Sequence, residues 1–254
     1  MTDRRPTPQP ATEGRPRFRD APTQDYGNPD ANPYLISHRS FGRPLLTADE
    51  AWRWRGRWDE ELGQAGDLHV ELGSGNGFFL AELARRNPDA LVLGIEIRFK
   101  RCVLCARKIQ AAGVHNARIL RYHAAFLDDL FEDGALAALY VNHPDPWPKE
   151  RHEKNRLISR WFLEDVVRLL RPGGVFRLKS DHLPNIERAV ELIDHDPEGG
   201  PAPRLPLEVT GRAEDVTRGP APWPDDIETN YQRKFRERGL PVYALELRRT
   251  ADAG

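Results

Sequence analysis

Residues 144–156, Pro-Asp-Pro-Trp-Pro-Lys-Glu-Arg-His-Glu-Lys-Asn-Arg, gather the side chains best suited to chemistry. Prolines 144, 146 and 148 restrict the torsions around Asp145 and Trp147 and remove backbone donors there. A carboxylate, a flat indole and a trailing run of cations are thereby held on one stiff turn. That set suits a flat, polar, phosphate-bearing ligand, with the indole available to stack and the cations to meet phosphate. Packing beside the prolines is the other use for Trp147, and capping of local amides the other use for Asp145. The turn follows the apolar run Ala135–Val141, which reads as a buried strand. It therefore stands at a strand's carboxyl end, where ligands bind in open α/β sheets.

A second constellation is Val-Glu-Leu-Gly-Ser-Gly-Asn-Gly, residues 70–77. Gly73, Gly75 and Gly77 allow torsions closed to other residues and let a ligand approach the backbone. The amides that follow, with the amino end of the next helix, present partial positive charge. Glu96 ends the next strand, 23 residues after Gly73, where an acid takes two ribose hydroxyls in nucleotide sites. Phe78 stands where a dinucleotide fingerprint has its third glycine, and Glu71 precedes the turn. Both details resemble the cofactor loop of S-adenosylmethionine-dependent methyltransferases more than a nicotinamide site, although an oxidoreductase stays among the alternatives.

The elements that position these residues alternate. Strands are predicted at Leu68–Leu72, Ala90–Ile95, Ala117–Leu120, Leu136–Val141, Val175–Lys179 and Val242–Leu247. Helices are predicted at Phe78–Arg86, Phe99–Ala112, Leu157–Leu170 (closed by Pro172 and Gly173), Leu183–Ile193 and Glu228–Arg238, and residues 197–226 read as a long connection. This is an α/β chain: a Rossmann-like, mostly parallel doubly wound sheet with an antiparallel C-terminal strand. Residues 1–33, with seven prolines, are expected to be a disordered or loosely attached tail, and residues 34–254 a single domain. Thirty-eight basic residues oppose 39 acidic ones, so any phosphate-binding face is local. Two cysteines imply no disulfide framework, and no signal peptide or membrane span is visible. The expectation is a cytoplasmic protein, monomeric or homodimeric, without metal.

Glu-Leu-Gly-Ser-Gly-Asn-Gly, Gly-Ile-Glu, Pro-Asp-Pro-Trp-Pro-Lys-x-Arg-His-x-Lys-x-Arg, Lys-Ser-Asp and Thr-Asn-Tyr-Gln-x-Lys-Phe together resemble the bacterial tRNA (guanine-N7)-methyltransferases, in order over about residues 67–249. The resemblance implies a methyltransferase fold, S-adenosylmethionine as methyl donor and a tRNA guanine as acceptor, in the variable loop. It places Glu71 and Glu96 on the donor and makes Asp145 catalytic. It assigns Lys149, Asp181 and Thr229, Asn230, Tyr231 and Gln232 to the guanine region. Two positions depart from the pattern: His123 replaces an acid at the donor, and Gln232 replaces a glutamate. N7 of guanine carries no proton, so attack on a methyl group needs positioning and charge stabilisation instead of a base. Asp145 would accept hydrogen bonds from the guanine's Watson–Crick edge. An amino methyltransferase acting on adenine or cytosine and a non-catalytic RNA-binding module are the alternatives.

Three cation groups could meet tRNA phosphates: Arg98, Lys100, Arg101, Arg107 and Lys108; Lys149, Arg151, Lys154, Arg156 and Arg160; and Arg233, Lys234, Arg236 and Arg238. Cys102 and Cys105 lie at helical spacing and read as packing. Trp52, Trp54 and Trp58 read the same way. His152 reads as a phosphate or carboxylate partner, and His143 has no assigned role.

Overall fold

The computed structural model describes residues 33–146, 156–195 and 203–251. The expected tail up to residue 32 and the Trp147, Lys149, Arg151 and His152 positions therefore lie outside the described residues. The chain divides at Glu132/Asp133 into two compact units.

The first unit carries α1 (Pro33–Ser40), β1 (Leu45–Leu46), α2 (Ala48–Arg53), α3 (Trp58–Leu62), β2 (Leu68–Leu72), α4 (Phe78–Arg86), β3 (Leu91–Glu96), α5 (Phe99–Ala112) and β4 (Ala117–Arg121). Its strands run in the order β1-β4-β3-β2, all parallel. All six residues of β3 are buried, as expected of a strand covered on both faces. α5 buries Phe99, Cys102, Val103, Cys105, Ala106 and Ile109, one apolar stripe at helical spacing, which accounts for the Cys-x-x-Cys pair as packing. Gly113 ends α5 in the left-handed conformation. Thr47 and Glu50 form a capping box at the start of α2. Among the three tryptophans Trp58 is buried, its indole donating to Leu130 O at 3.0 Å.

The second unit carries β5 (Leu136–Asn142), α6 (Arg160–Leu169), β6 (Leu170–Ser180), α7 (Leu183–Asp194), β7 (Leu207–Ala213), α8 (Asn230–Glu237) and β8 (Tyr243–Arg249). Strand order is β5-β6-β8-β7. β5 and β6 are parallel, whereas β8 runs antiparallel to both β6 and β7.

Three expectations change here. Residues 197–226 are not one connection, because β7 lies within them. Four of its seven residues are exposed and its register shifts at Gly211, so no alternating apolar signal marks it. α6 starts at Arg160, three residues later than its apolar pattern suggests, because Ser159 caps it by accepting from Phe162 N. Pro172 and Gly173 do not close that helix. They lie inside β6, whose 11 residues begin directly after Leu169.

Candidate active site

In the first unit the glycine loop joins β2 to α4. Gly73 N and Ser74 N donate to Ile95 O at 2.8 and 3.2 Å, and Gly77 N donates to Ser74 O at 2.9 Å. Gly73, Gly75 and Gly77 all have φ between 54° and 78°, a region that excludes most side chains. A Cβ on Gly77 would lie 2.9 Å from Cys105 Cα, so this glycine also lets α5 pack onto the loop. Gly73 is exposed, and nothing lies within 4 Å of where its Cβ would be. A ligand can therefore reach this backbone.

Glu71 and Glu96 flank the loop, 2 % and 8 % exposed. The Glu96 carboxylate spans the gap between loop and helix. Its Oε2 accepts from Gly75 N at 3.1 Å, and its Oε1 accepts from Ile97 N and Arg98 N, both at 2.9 Å. It thus places negative charge at the amino end of α5, where that charge is favoured. A carboxylate oxygen offers two lone pairs, so acceptor capacity remains for a ribose hydroxyl. Phe78 and Ile97, beside the loop and Glu96, leave large apolar side chains 45 % and 40 % exposed. Such surfaces suit a purine, and Ile97 escaped sequence reading because a single exposed isoleucine carries no pattern.

His123 follows β4 and caps the short 3-10 helix Ala124–Asp129, with Nδ1 accepting from Ala125 N at 3.1 Å. Desolvation lowers its pKa. The neutral ring with Nδ1 as acceptor carries its proton on Nε2, so it offers a donor where an acid offers acceptors. The loop glycines, the two glutamates and the flanking apolar side chains together fit a nucleoside-bearing, partly cationic donor.

In the second unit Asp145 lies three residues beyond β5 and is exposed. Between them, His143 turns the chain with φ 53° and donates its backbone N–H to Lys179 O at 2.8 Å. Asp181 follows β6. Its pKa is lowered, chiefly by the adjacent His143 ring, whose Nδ1 lies 3.6 Å from Oδ1, against the opposing effect of burial. Thr229 caps α8 by accepting from Gln232 N at 2.9 Å, which places Tyr231 on the first turn. Tyr231 is 46 % exposed and stacks on Phe235 with centroids 4.9 Å apart. Desolvation, then the charge of Asp181, raises its pKa. Asn230 accepts from Arg233 through its side-chain oxygen.

Gln232 points elsewhere. It is 4 % exposed, accepts from Lys179 Nζ at 2.8 Å and donates to Val216 O at 3.0 Å. Lys179 also meets Asp226 Oδ1 at 2.7 Å and Ile227 O at 3.0 Å. One lysine faces one carboxylate there, and a neutral amide at 232 completes the group without a second buried negative charge. The amide's N–H, which a glutamate lacks, satisfies the Val216 carbonyl.

The cation groups differ in kind. Arg98, just ahead of α5, and Lys100, Arg101 and Arg107 on it are exposed, while Lys108 lies over the Phe78 ring at 4.2 Å. Arg233, Lys234, Arg236 and Arg238 are exposed on α8 and its end. Arg160 is buried, donating to Leu192 O at 2.8 Å and pairing with Glu164 at 3.2 Å, so it belongs to the packing of α6 and not to a phosphate face. Among the described residues no cluster of His, Cys, Asp and Glu could hold a metal ion, and no helix is long and apolar enough to cross a membrane.

Residues 65–245 match the family described as "Putative methyltransferase". The tRNA (guanine-N(7)-)-methyltransferase of Streptococcus thermophilus strain CNRZ 1066 is 33 % identical over 216 residues, covering 85 % of this chain and 94 % of that protein. The enzyme of the same name from Bacillus velezensis is 32 % identical over 240 residues, covering 88 % and 96 %. Among solved structures, the 16S rRNA methyltransferase KamB superposes with a TM-score of 0.55 at 18 % identity, covering 76 % of this chain and 92 % of that one. That likeness supports the Rossmann-like methyltransferase fold. With matched sequence over most of both lengths, this chain belongs to the tRNA (guanine-N7)-methyltransferase family.

Proposed function

We propose that residues 34–254 act as one methyltransferase domain that transfers a methyl group from S-adenosylmethionine to N7 of a guanine in the variable loop of tRNA. The observation that carries this reading is the cluster in the second unit: an exposed Asp145, an Asp181 whose pKa is lowered beside His143, and an exposed Tyr231 on a capped helix. Two acceptors and an aromatic face suit a guanine, whose Watson–Crick edge offers N–H donors and whose ring stacks.

S-adenosylmethionine supplies an electrophilic methyl group on a sulfonium centre. Glu71, Gly73, Gly75, Gly77 and Glu96 hold the donor, with His123 donating through Nε2 to one of its ring nitrogens. Asp145 accepts from the guanine edge and places negative potential where positive charge spreads into the purine during transfer. No group has to remove a proton, because N7 reacts through a lone pair. Asp181, Thr229, Asn230, Tyr231 and Lys149 orient the base, and Arg151 meets the phosphates of the tRNA backbone. Gln232 acts one layer deeper, by fixing the start of α8 to Lys179. The protein works in the cytoplasm as a monomer or homodimer.

Incubation with labelled S-adenosylmethionine and an unmodified tRNA transcript, followed by nucleoside analysis, tests the reading. Label in 7-methylguanosine is the expected product. Label on an exocyclic amine would instead favour an amino methyltransferase, and donor binding without transfer a non-catalytic module.

A further inference from the structure

We infer that His143 is a positioning residue for the methyl acceptor, locking Asp181, Tyr231 and the turn leading to Asp145 into one unit. The inference rests on the tRNA guanine reading above.

The backbone gives the first argument. Among the described residues only His143 and Asp225 combine a side chain with positive φ. His143 also precedes Pro144, which narrows its choice of torsions further. Such conformations persist where surrounding contacts over-determine them, and they concentrate at functional sites. Here the contacts come from three directions. The backbone N–H extends the β5–β6 pairing to Lys179 O. The ring Nε2 lies 2.9 Å from Thr229 Oγ1, and Nδ1 lies 3.6 Å from Asp181 Oδ1. The ring face packs on Tyr231 with centroids 4.6 Å apart at 40°.

These contacts fix both parts of the acceptor site. With the proton on Nδ1, the Thr229 hydroxyl donates to Nε2 and the N–H faces the Asp181 carboxylate. His143, Tyr231 and Phe235 then form an aromatic cluster in which Tyr231 stays 46 % exposed. The imidazole itself is 7 % exposed, so it works through its neighbours and not on the substrate.

Two variants separate its contacts. His143→Phe keeps a ring against Tyr231 and loses both polar contacts. His143→Asn tolerates the left-handed torsion and loses the ring. In both, KM for the tRNA transcript should rise about tenfold, with kcat changed less than about twofold and the calorimetric Kd for S-adenosylmethionine unchanged. KM within about twofold of wild type in both variants would overturn the inference, as would a fall in kcat at unchanged KM. Should neither variant unfold cooperatively, ring-nitrogen NMR of the wild-type protein and Asp181→Asn decides. Shifted His143 nitrogens support the lock, and unmoved ones refute it. Absence of transfer by the wild-type protein would defeat the assigned reaction instead, while the ring-nitrogen comparison would still read the His143–Asp181 contact.

Discussion

Replacing Lys179 by methionine tests how the start of α8 is held. The Lys179 side chain is 1 % exposed, and its Nζ serves the Asp226 carboxylate at 2.7 Å, Gln232 Oε1 at 2.8 Å and Ile227 O at 3.0 Å. Methionine keeps an unbranched stem of similar length and removes every donor. Two buried acceptors then lose their partner, at roughly 1–3 kcal/mol each. Breaking a buried pair costs about 3–5 kcal/mol, reduced here because the Asp226 side chain is 20 % exposed. These costs overlap, and about 3 kcal/mol is the expected total. At about 2–4 °C per kcal/mol for a chain of this size, scanning calorimetry should show Tm lower by about 6–12 °C. Burial lowers the Lys179 pKa against the raising effect of Asp226. Asp226→Asn in the same protein should recover part of the loss, since it removes the carboxylate that has lost its ammonium partner. A Tm within about 2 °C of wild type would refute the clip, as would a double variant less stable than the sum of the single ones.

Three further perturbations follow from the geometry. Gly77→Ala forces a Cβ to within 2.9 Å of Cys105 Cα at φ 78°, so stability should fall by about 2–4 kcal/mol and donor affinity with it. Denaturation at unchanged midpoint would show that the loop has slack. Asp145→Asn should lower kcat about 100-fold at saturating tRNA while leaving the donor Kd unchanged, and retention of most turnover would remove Asp145 from catalysis. Glu82 has its pKa lowered to about 2, first by its bond to Arg85 and then by that to Arg86. Its folded value lies below the ordinary 4.5, so its stabilisation is full above 4.5 and fades as pH falls toward 2. Glu82→Gln should therefore cost less than about 1 kcal/mol at pH 7, because Arg85 and Arg86 are 59 % and 38 % exposed. The difference from wild type should vanish near pH 2, and a constant difference across that range would exclude the ion pairs as its source.

Much of the frame was legible because its signals are local. β2, the glycine loop and α4 announce themselves through an apolar run, three glycines and a helical stripe, and they fall where expected. β3, α5 and β4 do the same, to within a residue at their ends. β7 was not legible: as an edge strand with a register shift it exposes Glu208, Val209 and Thr210 in succession, so no alternation survives. Pro172 and Gly173 read as a helix stop, yet the pairing of β6 with β5 and β8 carries the chain straight on as strand. Within the site, residue type gave the chemistry but not the direction of each side chain. The family resemblance assigned Gln232 to the guanine region, whereas its partners, Lys179 and Val216, lie 53 and 16 residues away. Arg160 looked like one cation in a run, and only tertiary packing turns it inward. His143 gave no sequence signal, because its left-handed torsion and its three neighbours exist only in the folded unit.

The central claim is that the acceptor atom is a guanine N7 in tRNA. A transcript made with 7-deazaguanosine keeps the Watson–Crick edge and the stacking face and replaces only that nitrogen. Side by side with its guanosine counterpart under labelled S-adenosylmethionine, it should compete for the enzyme at similar concentration and accept no label. Equal labelling of both transcripts would contradict the account, because the methyl group would then be going to another atom.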